Sequence, residues 1–232
     1  MSFPLDPTIG SPQVDPNFIA QARLWVRAPS LNFLGYIWGA YEAMQRDRPV
    51  VNGRDLERSI TQLLEPRIRS EMTGFEPFYV QHGPFERETM AAPPAQPPEY
   101  DLAFVLRADE RIMWPIEAKV LVTPRAVAAY HNDIREQFLT CRYAPFSSSG
   151  AMLGYLLTGS DSEAFNAIGT RIEAKLETPD GVFDRPIRVS HHTRAVPDGK
   201  PYSPTFACFH LILDYTGYSR EKDRPISSIK AK

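Results

Sequence analysis

The sequence predicts an α/β fold: a central mixed β-sheet flanked by helices on both faces, with an N-terminal helical extension. Three observations lead there. Apolar residues recur at helical spacing over 17–47, 52–72, 124–143 and 161–177. Between these segments stand short apolar runs, of which 150–159, GAMLGYLLTG, is almost wholly apolar, as a strand buried on both faces requires. The order alternates: helices, three strands, a helix, a strand, a helix and two late strands, with no internal repeat.

Residues 1–16 read as an extended arm, and 17–47 as two helices interrupted at Pro29, with Ser30 capping the second. Trp25, Phe33, Tyr36, Ile37, Trp38 and Tyr41 make that segment richer in aromatics than one amphipathic face needs, so it is read as an interface or a core helix. In 52–72, Leu56, Ile60, Leu63, Leu64, Ile68 and Met72 form one buried face, and Pro66 is expected to bend the helix near its last turns. The aromatic-rich 75–88 suits a strand or hairpin arm, and the proline-rich 91–100 a loop. Residues 102–122 are two apolar strands around Asp109-Glu110. A helix follows over 124–143, with Pro124 near its start, where proline is tolerated. After the strand at 150–159, a helix over 161–177 places Phe165, Ile168, Ile172 and Leu176 on one side. Strands at 185–196 and 205–215 precede a tail rich in Lys and Arg. The organisation is an arm and helical extension over 1–50 and a main domain over 51–232.

Hydrophobic content of 43% in 232 residues supplies a real core. A net charge of −2 excludes a global basic field, so contact with nucleic acid must come from a local patch or a partner subunit. Cys141 and Cys208 have no metal-ligand spacing and are too few for a disulfide framework, which suits a reducing cytoplasm. The N-terminal stretch lacks the pattern of a signal peptide, and no apolar run approaches the roughly 18–20 residues of a membrane span. The expectation is a cytoplasmic protein without a membrane partner.

Chemistry gathers in 100–122, YDLAFVLRADERIMWPIEAKVLV. Glu-x-Lys alone carries little, since about one arises by chance in a chain of this length. A second copy, Glu173-Ala174-Lys175, serves as an internal control, read as the solvated face of a helix. The first copy differs in context. Ile116, Ala118 and Val120 alternate with Glu117 and Lys119, so the two charges project from one face of a strand. A hairpin returns Glu117 towards Asp101, which opens the preceding strand. These three are the polar exceptions in strands otherwise apolar on both faces, and buried charge without a partner is costly.

Asp101 with Glu117-Ala118-Lys119, between helices, resembles the PD-(D/E)xK nuclease superfamily and its restriction-endonuclease-like fold over roughly residues 53–160. The chain departs from the pattern in placing Tyr100 before Asp101. Many members add a glutamate from the helix before the sheet, which points to Glu57, and some a glutamine on the helix after the motif, which points to Gln137. The resemblance implies a catalytic set of Asp101, Glu117, Lys119, Glu57 and Gln137. Asp101 and Glu117, with the Ala118 carbonyl and Glu57, would hold Mg²⁺, for which Mn²⁺ substitutes. Lys119 would orient water and stabilise charge on the phosphate.

The function so implied is metal-dependent hydrolysis of DNA phosphodiesters, beside a protein partner or in a homo-oligomer, as in anti-phage defence or DNA repair. Two alternatives stand beside it: a non-catalytic scaffold subunit that keeps the fold, and an RNA-directed nuclease. His191-His192 is read as structural, because neighbours on a strand face opposite ways. Tyr130, His131 and Tyr143 are read either as lining a nucleic-acid side or as packing.

Overall fold

Strong alternation between apolar faces sets the layers of the structure, a computed structural model that describes residues 30–51, 53–88, 97–181 and 185–218. The arm, the helix before Pro29 with Trp25, much of the proline-rich loop and the C-terminal tail lie outside the described residues. Six strands form one mixed sheet: β1 (Phe78–His82), β2 (Leu102–Leu106), β3 (Met113–Leu121), β4 (Ser149–Leu156), β5 (Ile187–Thr193) and β6 (Thr205–Asp214), in the order β1-β2-β3-β4-β6-β5. β3, β4 and β6 run parallel, while β1, β2 and β5 pair antiparallel. Every residue of β2 and β4 is buried, which requires a sheet covered on both faces.

Helices α1 (Ser30–Asp47) and α2 (Leu56–Glu71) cover one face. Phe33 of α1 stacks on Phe104 of β2 with ring centroids 4.2 Å apart and meets Phe78 edge-on. Phe33, Ile37 and Trp38 are buried and Tyr36 and Tyr41 pack at the margin, so this aromatic run belongs to the core. Asp55 caps α2 by accepting the N–H of Arg58. The helix continues past Pro66, which lies on the wet side together with Gln62, whose carbonyl the proline leaves without a donor.

The opposite face carries α3 (Ala128–Asp133), a π-helical turn over Ile134–Phe138 and α4 (Asp161–Ile172). Tyr130, Ile134 and Phe138 pack there with Phe165 and Ile168. The helix expected over 124–143 is thus shorter at both ends. Cys141 turns left-handed (φ 59°), and the buried Arg194 guanidinium takes the carbonyl of Phe138, which a helix running to Tyr143 would have used internally, together with those of Tyr143, Ala144 and Ser147. The helix expected over 161–177 stops at Ile172, because Glu173 turns left-handed (φ 53°) and Glu177 pairs its backbone with Val189 of β5. Ser160 and Glu163 form its capping box.

His191 is exposed, and His192 meets the Ser190 hydroxyl at 2.6 Å. The same hydroxyl lies 2.7 Å from His210 Nε2, and His210 Nδ1 lies 2.9 Å from the Tyr130 hydroxyl. Burial, reinforced by His192, pushes the pKa of His210 down to about 3, so this imidazole is a neutral bridge between layers. Among the described residues no helix is long and apolar enough to cross a membrane.

Candidate active site

The site follows from unequal strand lengths. β2 starts at Leu102 opposite Ile116, whereas β3 runs on to Leu121, so Glu117–Leu121 pair with β4 alone. On the vacant side, alternate residues of β3 present unpaired backbone groups, those of Ala118 and Val120. Carboxylates take them. Ala118 N–H donates to Asp101 Oδ2 at 2.8 Å, and Val120 N–H to Glu57 Oε2 at 3.3 Å. The Ala118 carbonyl accepts from Lys119 Nζ at 2.7 Å. The result is a polar notch at the edge of an apolar sheet.

Three elements supply it. The strand period brings Glu117 and Lys119 to the same face, as the alternation in the sequence predicts. Glu57 sits in the first turn of α2, the other layer, and reaches Lys119 around the end of β2. Its turn is fixed from below: the Thr61 hydroxyl bonds the Glu57 carbonyl at 2.7 Å and lies 2.9 Å from the Tyr155 hydroxyl of β4. Asp133, the last residue of α3, closes the far side.

Lys119 Nζ is the hub. It lies 3.1 Å from Glu57 Oε1, 3.0 Å from Asp133 Oδ2, and 3.8 Å from both Asp101 Oδ2 and Glu117 Oε2. Burial works against the charge on Lys119, but these four carboxylates outweigh it and hold the ammonium's pKa above the ordinary lysine value. Glu117 is the most buried of the acids, its side chain only 7% exposed. Burial first, and then the charges of Asp101 and Asp133, raise its pKa well above the usual carboxylate range against the pull of Lys119. Glu57 is raised too, by burial more than by Asp101. Four acids to one base leave a surplus of negative charge when all are ionised.

No family model, curated protein or solved structure matches this chain.

Carboxylates, a backbone carbonyl and an amide oxygen are hard oxygen donors of the kind a small divalent cation takes. Asp133 Oδ2 and Gln137 Oε1 are both buried without a hydrogen bond of normal geometry, although Asp133 keeps its ion-pair contact with Lys119. The surplus charge and these under-used oxygens suit such a cation. Among the described residues no three of the His, Cys, Asp and Glu groups are arranged to share an ion as they stand, because the oxygens close on the ammonium.

Asp101, Glu117, Lys119 and Glu57 are thus brought together, with Ala118 between them. Gln137 lies on the π-helical turn, one helical turn after Asp133, and no hydrogen bond joins it to Lys119. Asp133 was missed in the sequence, although the signal existed: it stands four positions before Gln137 on the same side of a helix. For Tyr143 the sequence offers packing or lining. Its pKa is raised by burial and next by Glu117, Asp133 and Asp101, which puts it beside the notch, with its hydroxyl donating to the Glu99 carbonyl at 2.8 Å. Tyr100, in the place of the proline of the family pattern, is buried and its hydroxyl bonds the buried carboxylate of Glu86. The control tripeptide behaves differently: Lys175 is 83% exposed and pairs with Glu177 on the surface.

Proposed function

We propose that this chain is a metal-dependent nuclease of the PD-(D/E)xK type that hydrolyses DNA phosphodiesters. The observation that carries the reading is the convergence of Asp101, Glu117 and Glu57 on Lys119 at the notch where β3 outruns β2. The residues that would hold Mg²⁺ or Mn²⁺ are Asp101, Glu117, Glu57 and the Ala118 carbonyl. A bound divalent ion supplies charge neutralisation at the phosphate and acidifies a coordinated water.

The chain's own groups do the rest. Lys119, held protonated by its neighbours, offers donors to a non-bridging phosphate oxygen as negative charge grows there. Glu117, whose buried carboxyl favours the neutral form, holds or releases a proton at the site according to the charge around it. Asp101 and Glu57, anchored to backbone N–H groups, keep their oxygens at fixed positions along the strand edge. Asp133 holds Lys119 from the side away from Glu57. The chain's net charge of −2 supports work beside a protein partner or in a homo-oligomer.

The test is cleavage by the full chain with Mg²⁺ or Mn²⁺ on single-stranded DNA, duplex DNA and RNA side by side. Loss of cutting in both Lys119→Ala and Asp101→Ala is expected. Undiminished cutting by both variants sinks the assignment. RNA as the only substrate cut would favour the RNA-directed alternative, and no cutting together with no ion-dependent gain in melting temperature would favour the scaffold.

A further inference from the structure

A second polar feature lies on the other flank of α3. The buried stripe of α3 and of the π-helical turn that continues it is Tyr130, Ile134 and Phe138, which face the sheet. Asp133 and Gln137 fall on one side of that stripe, towards the notch. His131 and Arg135 fall on the other side, four residues apart. There they line a cavity of about 1290 Å³ between α3 and α4, joined by Arg125 from the loop after β3 and by Asn166 and Arg171 from α4.

The cavity gathers cations from three separate segments in a chain whose overall charge is negative. Arg125 and Arg171 have no carboxylate partner among the described residues. Among the described residues Arg135 pairs only with its exposed neighbour Glu136 at 2.7 Å, a contact worth under about 1 kcal/mol and readily exchanged. Two carboxylates also line the cavity, but Glu163 is already engaged by the N–H and hydroxyl of Ser160. Glu173 is the other. His131 carries a buried Nδ1 without a hydrogen-bond partner. Burial, followed by the charges of Arg171 and Arg135, holds its pKa below the ordinary imidazole value.

We propose that this groove is a phosphate-binding site that holds the backbone of a nucleic-acid strand beside the acidic notch. The volume exceeds the roughly 300–1,000 Å³ of small-molecule sites, which favours several linked nucleotides over a single small anion. The two sites adjoin: Thr123, on the groove's rim, follows Lys119 by four residues, so their Cα atoms are at most about 14 Å apart. One strand can span both. The choice of a nucleic-acid strand rests on the nuclease reading; the phosphate chemistry rests on the arginines.

The test measures binding without cutting. A labelled 20-nucleotide single-stranded DNA, the same sequence as RNA, and ATP as a competitor are titrated against the full chain in EDTA. Arg135→Ala/Arg171→Ala is compared with wild type and with Arg46→Ala/Arg69→Ala on the opposite face, after melting curves show all three folded. The groove pair is expected to weaken strand binding about tenfold at low salt and to flatten the salt dependence by about 1.4 in slope, two single-strand phosphate contacts. The control pair stays within about twofold. If ATP displaces the strand and the groove pair loses ATP as well, the same phosphate site takes free nucleotide. Wild-type affinity in the groove pair, or no binding of any of the three by wild type, overturns the proposal. Cleavage by the groove pair at the wild-type rate with unchanged binding would remove the groove and leave the nuclease reading standing.

Discussion

Asp101 Oδ2 accepts the backbone N–H of Ala118 at 2.8 Å, so a side chain occupies the position that two more residues of β2 would have reached. This couples the candidate chemistry to the architecture. The acid is held by the sheet edge it protects, and the strand that carries Glu117 and Lys119 is left open where a ligand can approach. The same contact also has a purely structural use, since an unpaired N–H at a half-buried edge costs about 1–3 kcal/mol. Tests of the site therefore need readouts beyond stability.

Glu117→Gln should stabilise the protein at alkaline pH. The folded-state pKa of Glu117 is raised, so the stability it confers is present below its unfolded value, about 4.3, and is lost as pH rises through the folded value. Glutamine keeps the shape without the buried charge. Thermal melts should agree between variant and wild type near pH 4 and diverge above it, with a gain of roughly 1–3 kcal/mol at pH 8, or about 2–12 °C. A variant less stable than wild type at pH 8 would contradict this.

Lys119→Ala should act in the reverse sense. The ammonium's raised pKa means that its stabilisation is complete below the unfolded value of about 10.4 and is lost only at higher pH. Removing it leaves Glu57, Asp101, Glu117 and Asp133 without their shared cation, at a cost of about 3 kcal/mol at pH 8. The deficit should shrink towards pH 5, as Glu117 and Glu57, both with raised pKa values, take up protons. Urea melts across this range would measure it.

Divalent ions should raise the melting temperature. At an ion concentration 100 times the dissociation constant the gain is about 2.7 kcal/mol. Mn²⁺ and Mg²⁺ should give a saturable increase in wild type and little in Asp101→Asn or Glu117→Gln. An equal increase in all three proteins would place the ion elsewhere.

Asp133→Asn separates the acid missed in the sequence from Asp101, Glu117, Lys119 and Glu57. It should reduce cleavage at least tenfold if Lys119 depends on its 3.0 Å contact, while leaving the saturable Mn²⁺ stabilisation in place. Wild-type turnover in Asp133→Asn would confine Asp133 to a structural role.

Gly159→Ala tests the loop that joins β4 to α4. Gly159 has φ +83°, and a Cβ there would overlap the ring of Pro124, so both backbone and packing resist a side chain. A loss of about 2 kcal/mol is expected from chemical denaturation.

The α/β class and the two-sided covering of the sheet were legible in the sequence, because apolar periodicity is a local property that burial imposes directly. So was the pairing of Glu117 with Lys119 on one face, which follows from the strand period alone. The helix ends were not legible. Arg194 collects carbonyls from residues about 50 positions away, and Glu177 leaves the helical pattern to pair with β5; neither contact has a local signature. Nor did the aromatic excess of Phe33, Tyr36, Trp38 and Tyr41 say what would cover it, since core and interface have the same composition. The joining of Glu57, from one helical layer, with Asp133, from the other, at a single ammonium was likewise decided only by the tertiary structure. It depends on β2 starting opposite Ile116 while β3 continues to Leu121, a difference in strand length that opens the sheet from both sides. Sequence pattern determines which way a side chain points; only the packed sheet determines what it meets.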